Sequence, residues 1–197
     1  MKHAMKSIVA VVTMMVVSAS AFAQYDFTKS SLHVGYTKEN CSDVVELSSK
    51  LGIGAQFNEA FEIFQFAGNR LALGLDTSFD VNYSKFDEYG TIHMGEVGVQ
   101  VGPAITIRPI DKLSFRVYAK IAPTFVMQHL VEADKGYANL GLMSVCGASL
   151  SYGRLGVGVE QRGGNVKFRE IRDSKLLEGT VKSTDFVGPR AYILLWL

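Results

Sequence analysis

From Leu71 to Tyr83 the chain alternates. Leu71, Leu73, Leu75, Phe79, Val81 and Tyr83 take one set of positions, and Ala72, Gly74, Asp76, Ser78, Asp80 and Asn82 take the other. Side chains of a β-strand point to opposite faces with period two, so this stretch predicts a strand with one apolar and one polar face. Its length exceeds the ~9–11 residues that a tilted strand needs to cross a bilayer. The same alternation recurs in 92–107, 112–130, 137–152, 154–168 and 184–197, and 31–37 and 51–66 complete eight predicted strands. The second strand carries Glu59 and Glu62, one of which faces the wrong way unless a bulge intervenes. Pro123, inside the fifth strand, cannot donate to a ladder and predicts a bulge or kink.

The connections alternate as well. Segments 67–69, 108–111 and 153 are short and turn-like, whereas 38–50, 84–91, 129–136 and 169–183 are longer. Outer-membrane barrels use tight turns on the periplasmic side and longer loops outside. The expectation is therefore an all-β fold, an eight-stranded antiparallel up-and-down transmembrane β-barrel with both chain ends on the short-turn side. Pairing about the Pro109–Asp111 turn would set Met127 opposite His93 and make His93 and His129 diagonal neighbours. The alternative, a soluble barrel with its apolar face inward, calls for a densely charged outer face. The polar face here is instead rich in small residues, among them Ala72, Gly74, Gly98, Gly102, Gly141, Gly147, Gly156 and Gly158, which suit a crowded interior.

Lys2 and Lys6 precede an uncharged run, Ile8 to Val17, and a Ser-Ala-Ser-Ala-Phe-Ala segment ending at Ala23. That order predicts a secretory signal peptide over 1–23, cleaved before Gln24, and a single domain over 24–197. The apolar run is too short for a spanning helix, which needs about 20 residues. Loss of the two leader lysines moves the formal charge from +1 to −1. Such a balance lacks the basic excess of a nucleic-acid binder, so nucleic acid is not an expected partner. Cys41, in a polar connection, and Cys146, outward on a strand, are read as two unpaired thiols, a disulfide between them being the lesser alternative.

The leader, the amphipathic strands with alternating connections and the final strand Phe-Val-Gly-Pro-Arg-Ala-Tyr-Ile-Leu-Leu-Trp-Leu together resemble the small outer-membrane β-barrel superfamily of OmpA-, OmpX-, OmpW- and PorT-like proteins. The resemblance covers 24–197 and implies location in the outer membrane of a Gram-negative envelope. It also implies contact with outer-membrane lipid and lipopolysaccharide, and recognition of the carboxyl-terminal strand by the barrel-insertion machinery. Gly188, Tyr192, Leu194 and Trp196 fill comparable positions in that strand. Leu197 departs from the pattern, since many such proteins end in Phe.

If the apolar face meets lipid, the inward charges are Asp76, Asp80, Glu96, Arg116, Lys120, Glu160, Arg162 and Arg190, four acidic and four basic. Unpaired charge is costly at low dielectric, so they are expected to form a paired network across the lumen. Such a network either holds the cylinder shut or gates a narrow hydrated path. Tyr83, Tyr137, Tyr152 and Trp196, near strand ends, are expected to form an aromatic girdle at headgroup depth, with Phe86 and Tyr89 beside them. His33 is expected to face the lumen as a satisfied polar residue. His93 and His129, with Glu132 and Asp134 nearby, are the one constellation that could form a metal site or a catalytic pair, but no serine stands at a persuasive spacing. No HExxH, CxxC, GxSxG, Walker or Rossmann pattern occurs. The expectation is a non-enzymatic barrel without cofactor or metal, with a structural or surface-interaction role and at most a narrow, charge-gated pore. The alternatives are a porin-like channel for small solutes or ions, or a PorT-like accessory factor for export or envelope assembly, with a lipid-modifying enzyme last.

Overall fold

The computed structural model describes residues 28–42, 46–88, 90–172, 175–176 and 182–197. The expected leader, Tyr89 and parts of the 38–50 and 169–183 connections lie outside these. The strands are β1 (Thr28–Thr37), β2 (Asn40–Ser42), β3 (Glu46–Ser48), β4 (Leu51–Phe66), β5 (Leu71–Phe86), β6 (Ile92–Ile110), β7 (Leu113–Leu130), β8 (Lys135–Tyr152), β9 (Leu155–Arg172), β10 (Lys175–Leu176) and β11 (Lys182–Trp196). Eight of them, β1, β4 to β9 and β11, form one closed antiparallel ring. β11 closes it, pairing with β9 through Val187↔Gly163 and with β1 through Gly35↔Tyr192. A closed ring pairs every backbone N–H and C=O without an edge, which is what allows strands to sit in hydrocarbon.

Alternation sorts the side chains. Leu140, Leu155 and Ile193 are 64%, 68% and 66% exposed on the outer face, whereas Asp76, Gln100 and Arg190 are at most 1% exposed inside. Each exposed apolar side chain would gain about 1.5–3 kcal/mol on leaving water, so the outer belt is stable only under lipid. Among the described residues no helix is long and apolar enough to cross a membrane; the crossing elements are strands.

The structure resolves one open detail and corrects three. The β4 bulge lies between Glu62 and Phe64, beyond both glutamates: Glu62 points inward and is 3% exposed, while Glu59 keeps its outward register opposite Thr77. Pro123 produces no register shift, since Gly98↔Thr124 and Val101↔Ile121 continue the same ladder on either side of it. His93 faces His129 directly and Met127 faces Gly95, because β6 runs on to Ile110 with a shift between Ile107 and Ile110 before the turn at Lys112, whose φ is 71°. Finally, β5, β6 and β8 extend past the expected strand ends, and the connections 87–91 and 131–134 are hardly longer than 67–70 on the opposite side. The reversals at 111–112 and 153–154 are both two residues long; at Gly153 a φ of 61° suits a residue without Cβ and the N–H donates to the Lys112 carbonyl at 2.7 Å.

Candidate functional site

The candidate site is the lumen, and it is built in layers. Asp76 and Asp80 stand on β5, Glu96 on β6, Arg116 and Lys120 on β7, Glu160 and Arg162 on β9, and Arg190 on β11. All eight side chains point inward and are at most 4% exposed. Arg190 reaches Asp80 at 2.5 Å and Glu160 at 2.7 Å, and Arg162 reaches Asp80 at 2.9 Å and Glu96 at 3.2 Å. These two guanidinium groups thus tie β5 and β6 to β9 and β11 across the lumen. Nearer the short-turn end Arg116 pairs with Asp76 and donates to Thr106 at 2.7 Å. Lys120 donates to Asn58 at 2.8 Å and to Ser78 at 3.2 Å, with Asp76 at 3.9 Å.

Neutral groups that the charge pattern did not single out complete the layer. Tyr118 donates to Glu160 at 2.8 Å and shares a 2.9 Å hydrogen bond with Tyr192. Arg190 also donates to Gln56 and, at 3.2 Å, to Asn82, which donates in turn to Asp80 at 2.6 Å. His33 stacks on Tyr192 with ring centres 4.6 Å apart and bonds Ser31 at 2.9 Å. Gly158 makes room for this cluster, because the Tyr192 ring occupies the space a Cβ there would take. Tyr118, Tyr192, Asn82 and Gly158 have the parity of the charges on their own strands, which is the signal that would have found them, and His33 faces the lumen as its position on β1 predicted.

Between the charges and the long-connection end lies an apolar layer that the sequence reading missed. Phe86, Met94, Val126, Val166, Phe168 and Phe186 are inward and at most 4% exposed. Phe168 and Phe186 meet edge to face at 6.1 Å, and Cys41, carried on β2, packs into the same cluster after β2 pairs with β11. Glu39 is drawn in beside this layer, 5% exposed, its N–H donating to Ser49 at 2.8 Å. Each of these apolar residues falls on the polar parity of its own strand, and on β9 the outward positions beside Phe168 are Lys167 and Arg169, so apolar and polar faces change places at this end.

The aromatic expectation needs correction. Tyr83 and Tyr152 are outward, 36% and 65% exposed, at opposite barrel ends. Tyr137 packs against the apolar layer inside the barrel. Trp196 is inside as well, its indole N–H donating to Ser151 at 3.2 Å. Phe86 belongs to the inner layer. His93 accepts or donates at 2.6 Å with Tyr83, and His129 lies 3.5 Å from Asp134, whereas Glu132 instead takes the Thr91 N–H at 2.8 Å. Among the described residues no group of three or more His, Cys, Asp or Glu side chains is arranged to hold a metal. Cys41 is buried and Cys146 exposed.

No sequence-family model matches the chain, and no curated protein matches it in sequence. Its shape is similar to that of several solved structures. The attachment invasion locus protein Ail of Yersinia pestis aligns with a TM-score of 0.49 at 12% identity over 86% of this chain and 98% of that one. Neisserial surface protein A gives 0.47 at 10% over 84% and 96%. The outer membrane protease OmpT of Escherichia coli gives 0.49 at 8% over 87% and 97%. The expectation of a non-enzymatic chain is withdrawn on this finding: a protease stands among barrels of similar shape, so strand pattern and architecture do not exclude catalysis. A closed ring with an apolar outer belt and a charged, filled interior is the fold of a small eight-stranded transmembrane β-barrel.

Proposed function

We propose that this barrel has a structural or surface-interaction role, with a lumen shut to solutes and passing ions, if at all, along a narrow charge-lined path. The observation that carries this reading is the stacking of an apolar layer, centred on Phe168 and Phe186, on the ion pairs of Arg162 and Arg190. An eight-stranded barrel holds little more than its own side chains, and a dry apolar constriction blocks ions that charges below it would accept. In the same reading 1–23 exports the chain, β11 is the strand taken up by the insertion machinery, and the outer belt meets lipid and, in the external leaflet, lipopolysaccharide.

Planar bilayers test the proposal. The purified barrel is expected to leave conductance near baseline, and Phe86→Ala with Phe168→Ala to open small, discrete steps. Large steps from the unaltered protein would favour the porin-like alternative instead.

A further inference from the structure

The short-turn end of the lumen holds a cavity of about 300 Å³ that no part of the closed-barrel reading uses. Lys29, Arg108, Lys112 and Arg116 line it, with Glu62 and Trp196. Glu62 is 3% exposed and shared between Arg108 and Lys29, the latter at 3.7 Å, while Asp76 below answers Arg116. Four cations against two carboxylates leave an excess of two positive charges in a pocket with low-dielectric walls, which focuses the field on whatever enters. Two of the cations are guanidinium groups, whose planar donors match tetrahedral and planar oxyanions.

We propose that this vestibule binds a small anion of the phosphate class, entering from the short-turn side. Lys112 and Lys29 would draw it in, Arg108 and Arg116 would hold its oxygens, and Trp196 would form one wall. The source is a free phosphate compound or the phosphate of a lipid headgroup at the rim, both of which present the same oxygens.

Trp196 is the only tryptophan in the chain, so its fluorescence reports on this cavity alone. The purified full barrel in zwitterionic micelles is titrated with inorganic pyrophosphate. In parallel, phosphatidylcholine bicelles are compared with bicelles containing phosphatidylglycerol, without soluble anion. A saturable change with pyrophosphate supports the proposal with a free source, and a change only with phosphatidylglycerol supports it with a headgroup source. Arg108→Gln and Lys112→Gln should each weaken the response about tenfold, as loss of one charge-assisted contact implies. Lys112 lies in a turn and makes no ion pair among the described residues, so Lys112→Gln tests binding without endangering the fold, which unboiled gel migration verifies. Lys50→Gln, at the opposite end beside Asp87 at 3.6 Å, should change nothing. No saturable response to either source, or one that both cavity variants leave unaltered, overturns the proposal.

Discussion

Glu160 shows how much one side chain can carry in this lumen. It receives Arg190 at 2.7 Å and the Tyr118 hydroxyl at 2.8 Å, so its carboxylate joins β7, β9 and β11. Removing one partner of a buried pair strands the other, at a cost of about 3–5 kcal/mol that lumen hydration would reduce. Glu160→Gln is therefore expected to lower the unfolding temperature in detergent, and an unchanged temperature would mean that the cations find equivalent partners. At the opposite extreme Glu132 is fully exposed, yet the Thr91 backbone N–H holds its carboxyl below the usual range. A depressed folded-state value means that the contact is fully present above the ordinary carboxylate pKa of about 4.3 and is lost as pH falls through the folded value. Measured against an unstructured peptide at the same pH, the Thr91 amide should be protected from exchange near neutral pH, lose that protection on acidification, and in Glu132→Ala lack it throughout.

Strands add a constraint that no residue has alone, because register decides which side chains meet. A shift of one residue would turn every inward charge of a strand toward lipid. The shift between Ile107 and Ile110 is compatible with the buried face, and it moves His129 rather than Met127 opposite His93. Directly opposed residues in an antiparallel pair have Cα atoms about 4.5–5.5 Å apart, within disulfide range. With Cys41 and Cys146 replaced, the pair His93→Cys and His129→Cys should cross-link on oxidation, while His93→Cys with Met127→Cys should not. The reverse result would restore the pairing read from the Pro109 turn.

The whole molecule is polarised along its axis. An apolar layer closes the long-connection end, charges fill the middle, and an excess of cations lines the other end. Orientation in the membrane then decides which compartment meets which layer. Cysteines at Glu88 and Lys135, in a background without Cys41 and Cys146, are expected to react with an impermeant thiol reagent on intact cells, and one at Asp111 is not. Labelling at Asp111 alone would invert the barrel and place the cationic vestibule outside.

Period-two alternation suffices to read the strands, their lipid-facing side and the inward parity of residues such as Asp80 and Arg190, because a pleated strand has only two faces and hydrocarbon tolerates only one kind of side chain. Local pattern also locates the tight turns at Gly68 and Gly153, where backbone conformation is a property of a few neighbouring residues. Pairing partners were not legible in this way. Which carboxylate answers Arg162 and whether His93 meets Met127 or His129 depend on stagger between strands, to which a single residue of bulge contributes; Trp196, by contrast, shares the inward parity of Arg190 on β11. The apolar layer escaped for a related reason: Phe86 reads as a strand-end girdle residue, and Phe168 and Phe186 carry no signal of their own, until ring closure brings the ends of β5, β9 and β11 together around one axis. Contacts between residues as far apart as Asp80 and Arg190 are made by closure of the ring, and no short stretch of chain encodes them.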